Sequence, residues 1–293
     1  MKILLATRSL SQLGGSEVWT VTMAKALRKL GHDVTIACRG VNNLLPDFPE
    51  VRLERPHGEY TLGMFNHMSM VDNTNLRERC DTIIQTCHGI IPGEEKPHPN
   101  ADIHVAVSEE VQEAIKGKPG VTDTYVIRNP IDTALFQPDT KLNTTPKRAL
   151  YMSNNGDHLF GSIVEQGAKK AGVELVKLGR AYGRSLNPQE VMNSVDLVIS
   201  LGRGAYEAMA CGRPVVVADK RGGDGYLHPD FVREWRKNNL SGRYNKLTVD
   251  ADWLAGEIRK YEPHHGEMLR GYVESEHSEL SVARHYLALK EPF

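Results

Sequence analysis

Ser194-Val195-Asp196-Leu197-Val198-Ile199-Ser200-Leu201 runs directly into Gly202-Arg203-Gly204-Ala205-Tyr206-Glu207-Ala208-Met209-Ala210-Cys211-Gly212, and then into Arg213-Pro214-Val215-Val216-Val217-Ala218-Asp219. Leu197–Leu201 is a short apolar run of the kind that forms a parallel strand buried on both faces. Two glycines bracket Arg203, helix formers follow, and Gly212 is the residue type that most easily takes a left-handed helix stop. Pro214 opens a second apolar run. Strand, glycine loop, short helix and strand make one unit of a doubly wound α/β sheet.

Ligands of such a sheet gather at the carboxyl ends of its strands. Glycine lets backbone approach a ligand, and N–H groups at a helix start attract anions, by about 0.3–1 kcal/mol per charge at an exposed end. Gly202, Gly204 and Ala205 therefore form a candidate phosphate loop, to which Arg203 adds a planar cation with several donors. Glu207, early in the helix, is unsuited to phosphate but able to accept hydrogen bonds from a ribose diol. A cap on its own helix is the competing role, and spacing leaves both open. An anion pocket beside a diol acceptor describes a nucleoside diphosphate site.

The segment Glu207-Ala208-Met209-Ala210-Cys211-Gly212-Arg213-Pro214-Val215-Val216 resembles the second half of the signature of the family 4 retaining glycosyltransferases. The resemblance implies that Glu207 binds the ribose of a nucleotide-sugar donor. The family's other glutamate, eight residues earlier and in contact with the sugar, has no counterpart. Ile199 stands there, inside the strand, and the loop is shortened to Leu201-Gly202-Arg203-Gly204.

Working outward, Lys2–Thr7 reads as a buried strand, followed by a polar and glycine loop from Arg8 to Gly15. A helix starts at Ser16-Glu17, with Val18, Val21, Ala24 and Leu27 on one side; Gly31 ends it, and Asp33–Cys38 is the next strand. This is a Rossmann-type opening without the strict Gly-x-Gly-x-x-Gly. Gly14-Gly15-Ser16-Glu17 with Gly31-His32-Asp33-Val34-Thr35 again resembles the family 4 N-terminal domain. That implies Gly14 and Gly15 lie against donor phosphates or the acceptor; a plain structural turn is the alternative. Residues 42–79 are poor in pattern and predict long loops with one short strand, Val51–Glu54. A strand at Asp81–Thr86 ends in Cys87-His88-Gly89, which puts His88 on the ligand side. The resemblance makes His88 the contact to the donor sugar or phosphate, the bland alternative being a histidine hydrogen-bonded at a strand end. A Cys87-His88 nucleophile pair is disfavoured, because neighbours on an extended chain face opposite ways.

Asp102–Val107 reads as a strand, Ser108-Glu109-Glu110 as a capped helix start and Tyr125–Ile127 as another strand. Arg128-Asn129-Pro130-Ile131-Asp132 with Phe136-Gln137-Pro138 resembles the family's crossing between domains, and Pro138–Pro146 reads as linker. The second domain predicts strand Arg148–Ser153, helix Leu159–Ala171, strand Val173–Leu178 and helix Pro188–Ser194. The family's arginine and lysine after the first of these strands are missing, which leaves Arg203 and Arg180 as substitutes. Arg221–Tyr226 reads as a flexible loop, either closing over base or phosphate or forming a surface turn. Helical patterns at Ala251–Tyr261 and Leu269–Leu289 finish the chain. His264-His265 has no third ligand near in sequence, so no metal is expected.

With 293 residues, 40% of them hydrophobic, the chain is long enough for two domains with real cores. A formal net charge of −1 gives no bulk signal for nucleic acid or an anionic membrane. Cys38, Cys80, Cys87 and Cys211 lack metal spacing and read as reduced thiols of a cytoplasmic protein. The apolar run at Met1–Ala6 is short for a signal peptide and no segment reaches transmembrane length.

The expectation is an α/β protein of two Rossmann-like, doubly wound parallel-sheet domains facing across a cleft, the GT-B arrangement. Residues 1–140 form the acceptor-side domain, 147–268 the donor domain, and 269–293 a helix returning to the first. The expected activity is transfer of a sugar from a nucleotide-diphosphate donor to an acceptor hydroxyl, retaining, with no cofactor and no metal. His88, Arg203 and Glu207 are its catalytic candidates, and Gly14, Gly15, Gly202, Arg203, Gly204, Ala205 and Glu207 its donor-binding ones. The acceptor is undefined, with modified nucleic-acid bases among the open classes. Two rivals remain: a nucleotide-sugar epimerase of the same plan, and a degenerate relative that binds nucleotide sugar or a partner protein without turnover.

Overall fold

Short apolar runs separated by glycine or polar stops build the first sheet: β1 (Lys2–Thr7), β2 (Asp33–Cys38), β3 (Arg52–Leu53), β4 (Leu62–Asn66), β5 (Ile83–Cys87), β6 (Ile103–Ala106) and β7 (Thr124–Val126). The computed structural model describes residues 1–10, 14–38, 52–53, 56, 58–91, 93–154 and 156–290. All paired strands of this sheet are parallel, in the order β3-β2-β1-β4-β5-β6-β7. Both faces are covered, as a parallel sheet requires. Helix Gly15–Lys29 buries Trp19, Met23 and Leu27 on one face. Helix Glu279–Ala288 joins the same core through Val282, Ala283 and Tyr286. Leu4, Ala6, Phe65 and Met70 fill the core on the other face.

The chain divides into two units, Met1–Pro130 joined by the segment that begins at His277, and Ile131–Glu276. The expected single helix at 269–289 is two helices, His264–Glu276 and Glu279–Ala288. The break falls where the chain passes between units, at buried His277, whose Nδ1 lies 2.9 Å from Asn129 O. The stretch read as linker is held to the second unit. Asn143 N donates to Asp196 Oδ1 at 3.0 Å, and Arg213 donates to Thr140 Oγ1 at 2.7 Å.

The second unit carries β8 (Arg148–Met152), β9 (Glu174–Leu178), β10 (Leu197–Ser200), β11 (Val215–Asp219) and β12 (Gly222–Tyr226), in the order β12-β11-β10-β8-β9. Strands β8 to β11 pair in parallel, and β12 runs antiparallel to β11. Helix starts follow the sequence: Asp157 and Asp250 accept from the amides of Phe160 and Trp253 at 2.9 and 2.8 Å.

Strands too differ from expectation. Residues 62–66, read as loop, form the fully buried β4. The expected strand at 51–54 is represented by Arg52–Leu53; Val51 and Glu54 lie outside the described residues. Arg221–Tyr226 reads as a flexible loop closing over a ligand or turning at the surface, yet Gly222–Tyr226 is the edge strand β12. Its glycines are dictated by packing: a Cβ on Gly223 would sit 2.7 Å from Trp253 Cη2.

Candidate functional site

Strand order in the second sheet reverses between β8 and β10, and their carboxyl ends open on one edge. Leu201 and Gly202 lead from β10 into helix Gly202–Ala210. Gly202 has φ +52, a left-handed value that a side chain resists, and its N–H donates to Leu240 O at 2.8 Å. No side chain caps this helix start. Gly204 packs closely against both strand ends, since a Cβ there would lie 2.5 Å from Ser200 Oγ and 2.6 Å from Met152 Cε. Ala205 is buried behind the loop.

Arg203 and Glu207 meet one helical turn apart. Arg203 Nε donates to Glu207 Oε1 at 2.7 Å, and the two side chains are 11% and 9% exposed. Burial pushes the Glu207 carboxyl above the ordinary carboxylate range, and the Arg203 guanidinium opposes that shift without cancelling it. Glu207 therefore pairs with Arg203 rather than capping its own helix. Ile199, at the position of the family's first glutamate, is wholly buried in β10.

The neighbouring strand ends are laced together. Ser153 Oγ donates to Asp219 Oδ2 at 2.6 Å and accepts from Gly156 N at 2.9 Å. Gly179, after β9, has φ +129, and a Cβ there would run into Ser153 O. Arg180 beside it is exposed.

In the first unit, Gly14 and Gly15 open helix Gly15–Lys29 beside the end of β1. A Cβ on Gly14 would collide with Glu17, whereas Gly15 faces open space. His88 follows β5; its backbone N–H donates to Glu95 Oε2 at 2.6 Å, and its Nε2 lies 2.9 Å from Asn66 Oδ1. An amide oxygen only accepts, so Nε2 carries the proton. Asn66 Nδ2 in turn donates to Thr20 Oγ1 at 2.8 Å, which ties His88 to the helix that Gly15 opens. The His88 ring sits edge-on to Trp19, with centroids 5.6 Å apart. Burial pushes the Glu95 carboxyl up to about 7. Burial also pushes the Cys87 thiol up to about 12, which leaves it protonated and poorly nucleophilic.

The structure thus groups Gly14, Gly15 and His88 at one sheet edge of the first unit, and Gly202, Arg203, Gly204, Ala205 and Glu207 at one sheet edge of the second. Arg8, Asn66, His67, Glu94 and Glu95 join the first group without having been marked in the sequence. A polar residue at or just past a strand end is the available signal, and for Asn66 and His67 Gly63 disguises the strand itself.

A cavity of 760 Å³ lies elsewhere in the second unit, bounded by Tyr226, His228, Trp235, Glu257, Glu262 and His265. Tyr226 pairs with Val216, at the amino-terminal end of β11, so this cavity opens away from Gly202–Glu207. Among the described residues no group of three His, Cys, Asp or Glu side chains could hold a metal ion, and no helix is long and apolar enough to cross a membrane.

No model of a known protein family matches the chain, and no curated protein matches its sequence. Solved structures do match, and the fold is that of the GT-B glycosyltransferases. AviGT4, a glycosyltransferase involved in avilamycin A biosynthesis, is 14% identical with a TM-score of 0.65, over 99% of this chain and 96% of that one. An α-glucosyltransferase in complex with UDP-glucose and DNA containing an abasic site is 10% identical with a TM-score of 0.61, over 99% of both chains. WaaG, a glycosyltransferase involved in lipopolysaccharide biosynthesis, is 10% identical with a TM-score of 0.58, over 99% and 100%.

Proposed function

We propose that this chain is a glycosyltransferase that moves a sugar from a nucleotide-diphosphate donor to an acceptor hydroxyl, with retained anomeric configuration and without a metal ion. One observation carries the reading: in a chain with the GT-B fold over its whole length, the Gly202-Arg203-Gly204 bend and Glu207 fall at the β8/β10 reversal, where doubly wound sheets hold ligands.

In this reading the second unit holds the donor. The backbone amides of Arg203 and Gly204 and the Arg203 guanidinium face the diphosphate, and they stabilise the negative charge that grows on it as the glycosidic bond breaks. Glu207 gives Oε1 to Arg203 and keeps Oε2 for a ribose hydroxyl, so one ion pair fixes both groups relative to the nucleotide. The departing diphosphate takes the acceptor's proton, and no protein nucleophile is invoked. His88, its ring oriented by Asn66, is the first unit's candidate for contact with a sugar.

Uridine diphosphate sugars are the first donors to test, because a protein of the same fold was solved with UDP-glucose. Calorimetric titration with UDP, GDP and ADP, together with a donor-hydrolysis screen, tests the reading. Binding of one nucleoside diphosphate and slow release of its sugar are expected. Binding without any turnover would replace the enzyme by a nucleotide-sugar binder, and conversion of the donor into an epimeric nucleotide sugar would point to an epimerase. Absence of binding to all three would overturn the reading.

A further inference from the structure

Strand order in the first sheet reverses between β1 and β4, so the carboxyl ends of these two strands diverge into a crevice. β1 delivers Arg8 to it and β4 delivers His67. His67 has φ +72 and ψ 134, a backbone conformation that L side chains rarely adopt, and the residue is only 8% exposed. Glycine would take this backbone without strain. Such strain persists only where the surrounding structure over-determines it, and it clusters at ligand-contacting positions.

The ring is oriented. Arg8 N–H donates to His67 Nδ1 at 3.3 Å, which places the proton on Nε2, and among the described residues the ring makes no second hydrogen bond. Burial, which outweighs the nearby Glu94 carboxylate, keeps the imidazole neutral, and Arg8 works in the same direction. Glu94 Oε2 accepts from Ser69 N at 3.3 Å, while its Oε1 lies 3.8 Å from the Arg8 guanidinium. Their charges cancel. The crevice therefore offers donors at His67 Nε2 and Arg8 and an acceptor at Glu94. That set matches hydroxyl groups, which donate and accept at once, and disfavours a phosphate, which would have to face Glu94.

We propose that His67, with Arg8 and Glu94, binds the hydroxyl groups of a neutral saccharide at the β1/β4 reversal. The proposal rests on the reading of the chain as a glycosyltransferase and names the class of its acceptor. His67 is then a contact residue that sets acceptor choice.

The test uses the full chain, labelled with nitrogen-15 at histidine, and titrates it with maltose, glucose, N-acetylglucosamine and inorganic phosphate. At least one saccharide at millimolar concentration is expected to shift the His67 ring resonance, and phosphate to leave it in place. His67→Gly is expected to lower saccharide affinity at least tenfold while its melting temperature stays close to that of the parent. Glu94→Gln, which leaves Arg8 unopposed, is expected to raise phosphate affinity at least tenfold. A His67 resonance unmoved by all three sugars, equal saccharide affinity in His67→Gly, or tighter phosphate than saccharide binding to the parent would each overturn the proposal. UDP titration of the parent reports on the second unit separately. Loss of UDP binding with saccharide binding retained defeats the donor reading alone, and the reverse defeats this one alone.

Discussion

Removing Glu207 should damage the protein more than removing Arg203, although the two form one ion pair. An exposed i,i+4 pair contributes only about 0.3–0.5 kcal/mol. Here the side chains are 9% and 11% exposed at an N···O distance of 2.7 Å, so the buried regime applies, in which stripping one partner costs about 3–5 kcal/mol. Glu207→Ala leaves a guanidinium that stays charged at any accessible pH. About 3 kcal/mol of lost stability is the expected result, or roughly 6–12 °C in melting temperature for a unit of this size. Arg203→Ala leaves a carboxyl that burial already pushes upward, and this group escapes by taking a proton. Its penalty should be smaller, about 1–2 kcal/mol at pH 8, and should shrink as the pH falls. The sign follows from the raised folded value: the native state binds the proton more tightly than the unfolded one, so acid favours it. Urea unfolding of both single variants and the double variant at pH 5.5 and 8 measures all of this. The double variant should be more stable than Glu207→Ala alone. A Glu207→Ala melting temperature within 2 °C of the parent, or an Arg203→Ala variant weaker than Glu207→Ala at both pH values, would refute the assignment of a buried, mutually dependent pair.

Three further outcomes follow from the geometry. Glu95, raised from 4.5 to about 7 by burial, should make the parent less stable as the pH climbs from about 5 through 7, by on the order of 3 kcal/mol, and Glu95→Gln should flatten that slope in urea melts. Gly179→Ala should lower the melting temperature and abolish UDP binding in calorimetry, because φ +129 resists a side chain and the added Cβ would push the β9 end away from Ser153 O. Tyr286→Phe removes the 3.0 Å bond between Tyr286 Oη and Thr86 Oγ1, both fully buried, and should cost about 1–2 kcal/mol in chemical denaturation without altering UDP affinity.

Legibility in this chain tracks whether a residue's role is set by its neighbours in sequence or by its neighbours in the sheet. Lys2–Thr7 and Asp33–Cys38 are short, mostly apolar stretches between clear stops, and the observed strands have those same bounds. Leu62–Asn66 is as deeply buried, yet Gly63 reads as a strand breaker. Packing explains it: a Cβ at Gly63 would lie 2.8 Å from Phe65 Cε1 and 2.9 Å from Cys80 Sγ, so the tertiary neighbours demand the residue that local propensity penalises. Gly223 misleads in the same way, packed against Trp253 and Val249.

The same distinction divides the candidate sites. Gly202, Arg203, Gly204 and Glu207 occupy consecutive positions of one strand–helix turn, and an arginine four residues before a glutamate is a spacing that announces a contact on one helix face. Arg8, His67, His88 and Glu94 come from three different strand ends and a loop. Their meeting depends on β4 lying beside β1 rather than beyond β3, which no local pattern encodes. Once that order is known, the polar residues following β1, β4 and β5 become neighbours by necessity, since parallel strands about 4.8 Å apart end on one edge. The strand order thus sets His67 beside Arg8, and its φ of +72 shows that the fold keeps it there at a cost in backbone strain.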